Sequence, residues 1–296
     1  MAEKRVNING INIYVETFGQ KTQPAILLVS GAMAPRHIWS SNFCQKLVVA
    51  GYFVIRYDHR DIGLSDSIDY DQHSYDLQDL AHDALMMLDL FKIKQAHVVG
   101  HSMGGLIAQL LALDHPTRLL SITLISSPVL AKVELNEEEQ QALANTWEVM
   151  LQNKPTATYQ ESVQGFLEVY SYLHGDLPLD QTMAKAYVKT MYAESTPQNL
   201  AWFEKFSLQK NPHNHVRAQS PLENRSGELS KMGLPVLIIH GQKDTLAFSR
   251  IINRYFVKLP NVTVKIMPGM GHMIFNEALF KQIKELIIDH THKDTK

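Results

Sequence analysis

The stretch His97-Val98-Val99-Gly100-His101-Ser102-Met103-Gly104-Gly105-Leu106 sets the reading of the whole chain. A short apolar run ends at Val99, and apolar residues at helical spacing begin at Leu106 and continue through Ile107, Leu110, Leu111 and Leu113. Between them, Gly100-His101-Ser102-Met103-Gly104 fits G-x-S-x-G, the pattern that seats a serine on a sharp strand-to-helix turn. The bland alternative is a chance match in a glycine-containing turn, since only three of the five positions are fixed. The strand before the pattern and the helix after it favour the sharper reading. A turn that tight needs small neighbours, and Gly100, Gly104 and Gly105 supply them. The helix N-terminus behind Ser102 also offers free backbone N–H groups to a developing anion.

Outward from this turn, short β-rich runs alternate with amphipathic helical runs. That alternation builds a mostly parallel sheet with helices on both faces, an α/β fold. The apolar strand candidates are Ala25 to Val29, Phe53 to Tyr57, His97 to Val99, Ile122 to Ile125, Val236 to Ile239 and Val262 to Ile266. The more polar Asn12 to Thr17 reads as an antiparallel edge strand. Helical stripes run through Leu77, Ala81, Ala84, Leu85, Leu88 and Phe91, with Asp76 and Asp79 in the first turn. The last stripe carries Phe275, Leu279, Ile283, Leu286 and Ile287, and the polar tail after Asp289 reads as frayed.

The alternation breaks between about 130 and 230, where helical patterns follow one another with no strand between them. Asn136 precedes Glu137, Glu138 and Glu139, a cap followed by first-turn acids, and the stripe continues through Leu143, Trp147, Met150 and Leu151. Further patterns run through Val163, Phe166, Leu167 and Tyr170, and through Met183, Tyr187 and Met191. Thr196-Pro197 opens a fourth, through Leu200, Trp202, Phe203 and Phe206. The expected organisation is a core of residues 1–129 and 231–296 with a helical cap inserted at 130–230. The aromatic and methionine stripes of the insertion make mostly its own core, while some of them line a covered, largely apolar cavity that the pattern alone does not assign.

A serine hydroxyl becomes nucleophilic when a base takes its proton. The chain has 14 histidines, so position must choose among them. His272 ends Pro268-Gly269-Met270-Gly271-His272, a glycine-rich loop directly after the last strand, at the sheet edge where Ser102 also points. The orienting acid should follow another strand. Asp244 does so in Ile239-His240-Gly241-Gln242-Lys243-Asp244, whereas the rival position reads Ser126-Ser127-Pro128 and carries no carboxylate. The chain order Ser102, Asp244, His272 is the one expected for this arrangement. The bland readings are a solvated loop histidine and a turn-forming aspartate. Two backbone donors should face the oxyanion: the N–H of Met103, and that of Ala32 in the turn Ser30-Gly31-Ala32-Met33.

These residues, together with Arg56-Tyr57-Asp58-His59-Arg60-Asp61-Ile62-Gly63-Leu64-Ser65 and Ala112-Leu113-Asp114-His115, resemble the α/β-hydrolase superfamily from end to end. More narrowly the chain resembles the aclacinomycin methylesterase group, which cleaves a methyl ester on a polyketide-derived ring system. The resemblance implies hydrolysis of a carboxylic ester through an acyl-serine. One departure stands out: many relatives have His-Gly after the strand ending at Val29, and this chain has Ser30-Gly31. The donor at Ala32 is a backbone group and survives the change, but the support of its loop is put in question.

Other readings share the motif. A thioesterase, a C–C bond hydrolase or an acyltransferase uses the same three residues, and a ligand receptor of another class retains them while signalling through cap movement. Epoxide hydrolases and dehalogenases of this fold carry an aspartate at the turn, which Ser102 replaces. Asp58, Arg60 and Asp61 suit bracing of their loop by charge-assisted hydrogen bonds better than catalysis. His213-Asn214-His215 and His290-Thr291-His292 lack carboxylate or cysteine partners at metal-ligand spacing. The chemistry calls for no cofactor and no metal.

Bulk composition agrees with a soluble enzyme acting on a small molecule. Hydrophobic residues make up 45% and charged residues 20% of the 296, and the formal net charge is −2, which leaves no basic surface for nucleic acid. Cys44 is the single cysteine and reads as a buried small hydrophobe. Met1-Ala2-Glu3-Lys4-Arg5-Val6 has no apolar run behind its charges, and no stretch is long enough to span a bilayer, so a cytoplasmic location is expected.

Overall fold

The structure, a computed structural model, describes residues 2–152, 159–193, 212–220, 222 and 224–292. Its centre is one eight-stranded sheet: β1 (Ala2–Ile8), β2 (Ile11–Phe18), β3 (Ala25–Val29), β4 (Phe53–Tyr57), β5 (Ala96–His101), β6 (Leu119–Ile125), β7 (Val236–Gly241) and β8 (Val262–Met267). The spatial order is β1-β2-β4-β3-β5-β6-β7-β8. The β1–β2 and β2–β4 pairs are antiparallel and the rest parallel.

Strands covered on both faces carry long apolar runs, which explains why β3 and β7 are legible, and β4 as well despite Arg56. All five residues of β3 are buried, and successive ones point to opposite faces. Ala25, Leu27 and Val29 join one core with α2 (Leu77–Leu90) and α3 (Met103–Asp114). Ile26 and Leu28 join the other with α1 (Ser41–Val49) and the last helix, Glu277–His292. The start of α2 is fixed by a capping box, in which the Asp76 carboxylate accepts from Asp79 N–H and the Asp79 carboxylate accepts from Asp76 N–H.

Between β6 and β7 the described residues form no strand of the sheet, and their regular elements are helices: α4 (Glu137–Gln152), α5 (Tyr159–Leu173), α6 (Gln181–Ala193), α7 (Pro212–Ala218) and α8 (Ser226–Leu229). A second capping box, Asn136 with Glu139, opens α4. Buried residues of α5 and α6, among them Leu167, Leu173, Ala184 and Tyr187, pack into the same core as α1. The expected helix through Leu200 and Phe206 lies outside the described residues. Beyond β7 come α9 (Ser249–Phe256) and α10 (Glu277–His292). No helix among the described residues is long and apolar enough to cross a membrane.

Two expectations need correction. Asn12 to Thr17 lies within β2, which is antiparallel as expected but is not the edge, because β1 pairs outside it. Only Val6 and Ile8 of β1 are buried, so the strand has no apolar run to announce it. Its signal was the turn Asn9-Gly10, both at positive φ (52° and 84°), the residue pair that tight hairpins select. The chain after Asp289 also stays helical through His292: Thr291 is fully buried, and its hydroxyl lies 2.6 Å from that of Tyr52.

Several histidines are buried in this frame, and burial lowers each of them: His59 to about 3, and His97, His101 and His215 to about 4. The unfolded chain therefore takes up protons that the folded one refuses once the pH drops below about 6.5. Stability is fully present above that value and is lost as pH falls, by about 1.4 kcal/mol per histidine per pH unit. Asp58, Asp61 and Asp83, raised by burial, act in the opposite sense above the ordinary carboxylate range. The melting temperature should hold near neutrality and fall steeply between about pH 6.5 and 5, read by thermal melts at constant ionic strength. A flat profile across that window would contradict the burial of these rings as neutral species.

Candidate active site

Ser102 sits between β5 and α3 with φ 53° and ψ −121°, a conformation that a non-glycine residue holds only when its surroundings enforce it. Its N–H donates to the Ile125 carbonyl of β6, and its carbonyl accepts from Gly105 N–H. The bends around it leave no space for a methyl group. A Cβ on Gly100 would overlap the Gly104 carbonyl, and one on Gly104 would overlap the Val29 carbonyl.

The structure brings the three predicted side chains together. Ser102 Oγ lies 3.0 Å from His272 Nε2. His272 Nδ1 lies 2.9 Å from Asp244 Oδ2 and 3.0 Å from Oδ1. Asp244 is buried, and its Oδ1 also accepts from the N–H groups of Leu246 and Ala247 at 2.9 Å. Burial by itself would raise this carboxyl. The His272 ring by charge and hydrogen bond, with His240 and the Ala247 N–H, outweighs it and holds the group below the usual carboxylate range. An ionised Asp244 fixes a proton on Nδ1 and leaves the Nε2 lone pair facing the serine hydroxyl.

The two predicted backbone donors belong to the two turns that meet at Ser102. Met103 is the first residue of α3, so its N–H has no acceptor within the helix. Ala32 lies in the turn after β3, and that turn is pressed against Ser102: a Cβ on Gly31 would come within 3.0 Å of the Ser102 Cβ.

Sequence reasoning did not find what holds the His272 loop. The link between α5 and α6, Leu173 to Leu177, runs alongside it as an extra strand-like contact. Leu173 carbonyl accepts from the N–H of His272 at 2.6 Å and of Met273 at 3.1 Å, His174 carbonyl accepts from Gly271 N–H, and Asp176 N–H donates to Gly269 carbonyl. From below, His101 Nε2 lies 3.0 Å from the His272 carbonyl oxygen. None of this is local in sequence, and no pattern in the Leu173–Leu177 stretch announces that the two backbones meet.

Charged residues near the site brace loops rather than enter it. Asp58 accepts from the Arg36 backbone and guanidinium, at 2.8 and 2.6 Å, and from Leu64 N–H at 3.0 Å. Arg60 pairs bidentately with Asp83, and Asp61 accepts from Tyr75, Asn214 and Ile68 N–H. In the stretch His213-Asn214-His215, the last two side chains are turned into this set of loops. Cys44 is buried, and burial pushes its thiol up to about 12.

A profile of the alpha/beta hydrolase fold family matches residues 24–279. Over its full length, and that of each relative, the chain is 30% identical to rhodomycin D methylesterase DnrP of Streptomyces peucetius. It is 29% identical to rhodomycin D methylesterase DauP of Streptomyces sp. (strain C5). Among solved structures, the 2-hydroxy-6-oxo-6-phenylhexa-2,4-dienoate hydrolase of Rhodococcus sp. strain RHA1 superposes with a TM-score of 0.73, covering 98% of both chains at 18% identity, a likeness of fold.

Gly175, at φ 75° in the α5–α6 link, packs directly against the His272 loop. A Cβ there would stand 2.6 Å from the Gly269 carbonyl and 2.7 Å from the Gly271 nitrogen. Gly175→Ala should lower the melting temperature by at least about 2 °C. It should also slow covalent labelling by a fluorophosphonate, followed by peptide mass spectrometry. Wild-type melting and labelling together would show that the His272 loop does not depend on this contact.

Proposed function

The chain belongs to the alpha/beta hydrolase fold family, and on that premise we propose that it is a serine hydrolase cleaving a carboxylic ester through an acyl-Ser102 intermediate. The observation that carries the reading is the unbroken hydrogen-bond line from Ser102 Oγ through His272 to Asp244, at 3.0 and 2.9 Å. The relatives named as methylesterases favour a methyl ester, carried on a largely apolar, small to medium acyl group. The expected division also stays part of this proposal: residues 1–129 and 231–296 form the core, and 130–230 a helical cap over the site.

The proposed course follows from the tautomer. As Ser102 Oγ bonds to the acyl carbon, its proton passes to His272 Nε2 and the carbonyl π electrons move to oxygen. The N–H groups of Ala32 and Met103 stabilise that oxyanion. Collapse expels the alcohol, which takes its proton from His272 Nε2 and leaves acyl-Ser102. Water then repeats the sequence: it gives a proton to His272 and attacks the acyl carbon, and Ser102 departs reprotonated. Asp244 stays ionised throughout and steadies the imidazolium.

A panel of esters, thioesters and amides, scored by turnover with Ser102→Ala as the blank, tests the reading. Esters should turn over best, and Ser102→Ala should abolish both turnover and fluorophosphonate labelling. Labelling that persists in Ser102→Ala would sink the nucleophile, and turnover confined to thioesters would move the substrate class.

Asp244→Asn should fold and bind substrate yet lose about 10⁴ in kcat, because Nδ1 no longer holds its proton toward a carboxylate. Adding Ser102→Ala to it should cost little more than Ser102→Ala alone, since the members of a catalytic unit are far from additive. Full activity in Asp244→Asn would hand the role to another acid.

A further inference from the structure

Two buried imidazoles hold the turn after β3. His215, on α7, is fully buried. Its Nε2 lies 2.8 Å from the Arg60 carbonyl oxygen and its Nδ1 3.0 Å from the Met33 amide nitrogen. A carbonyl only accepts and an amide N–H only donates, so these partners dictate one tautomer: Nε2–H donates to Arg60 and the Nδ1 lone pair accepts from Met33. His59, on the loop after β4, stands edge-on to that ring at 5.7 Å between centroids and donates from Nε2 to the Ser30 carbonyl at 3.1 Å. Ser30 and Met33 bracket Gly31-Ala32. Ser30 Oγ, itself buried, has no partner among the described residues, so it gives the turn no side-chain brace.

Met33 has φ 59°, a conformation that a residue with a flexible side chain keeps only when something outside it enforces it. We propose that His215 is a positioning residue for acyl transfer: by accepting the Met33 N–H it fixes the Met33 backbone and so aims the Ala32 N–H at the developing oxyanion. The inference rests on Ala32 being an oxyanion donor. Burial holds both rings neutral near pH 7, and an imidazolium would have no lone pair for Met33.

Two isosteres separate the two hydrogen bonds of His215. The Asn amide oxygen reaches the place of Nδ1 and can accept from Met33, while the Gln amide nitrogen reaches the place of Nε2 and can donate to Arg60. His215→Gln should lower kcat by roughly 10- to 100-fold with KM changed less than about 3-fold, whereas His215→Asn should keep kcat within about 3-fold. Equal losses in both variants, or unchanged kcat in a folded His215→Gln, would overturn the proposal.

Ala32→Pro, which deletes the N–H, runs alongside and should cost on the order of 10²–10³ in kcat. A folded Ala32→Pro with near-wild-type turnover would remove the oxyanion reading itself. Loss in Ala32→Pro with none in His215→Gln would remove only the positioning role. A readout on the unaltered protein guards against variants that do not fold: in ¹⁵N-Met-labelled wild type, the Met33 amide should exchange slowly with solvent. Exchange at the rate of a free peptide would exclude the His215 bond.

Discussion

A methyl group placed on Gly100, Gly104 or Gly105 would run into backbone or side-chain atoms of the neighbouring turns, and this crowding is the constraint from which the site follows. The ends of β3, β5 and β6 converge on one residue, Ser102. They can do so because the sheet order sets β5 between β3 and β6 and because the first turn of α3 is bare of side chains where it crosses β3. The positive φ of Ser102 is costly for a serine and is held by the Ile125 carbonyl on one side and the α3 ladder on the other. In exchange, the hydroxyl stands clear of the helix it begins, while the first helical N–H groups face the same small volume. The serine and the proposed Met103 donor are thus parts of a single backbone feature.

Beside it lies a set of buried charges whose purpose is geometric. Glu16 of β2 bridges Arg36 and Arg56, and Arg36 also grips Asp58. Removing these groups from water costs roughly what their attraction returns, so the network earns little net stability. What it does settle is where the chain goes after β3 and β4. Arg36 follows Met33 by three residues and Asp58 precedes His59 by one, so the network and the two imidazoles act on the same pair of loops. A site that needs donors held to a fraction of an ångström is served by such over-determination more than by packing alone.

The readable parts of the sequence were those with local causes. The central strands showed as apolar runs, and α2 and α4 by stripes and caps. Ser102, Asp244 and His272 showed because each follows a strand whose end had to be a turn. β1 was hidden because five of its seven residues face solvent, and the Asn9-Gly10 turn was the overlooked sign. His215 and Gly175 could not be read at all. Their neighbours in sequence are unremarkable, and their partners lie on loops 155 to 182 residues away for His215 and 95 for Gly175. A pattern search sees periodicity; it does not see which carbonyl a distant imidazole will meet.

Those same long-range contacts bear on how the proposed cap behaves. It is tied to the base loop through Leu173, His174 and Asp176, and to the Asp244 loop by the exposed Lys243–Asp176 ion pair. It is tied to the β3 and β4 loops through His215 to Met33 and Arg60, and Asn214 to Asp61. A further bond joins the Thr146 hydroxyl of α4 to that of Thr245, next to Asp244. Lifting the described helices as a rigid lid would break these bonds together, at a net cost of about 0.5–1.5 kcal/mol each and more for groups left buried and unpaired. It would also withdraw the supports of both the His272 loop and the Ala32 turn. The described helices between β6 and β7 and the loops of the candidate site are therefore joined as one mechanical unit. A receptor that signalled by swinging such a cap would dismantle its own hydrogen-bonded site with each ligand, whereas a hydrolase gains from having base, donors and cover set in place before the substrate arrives.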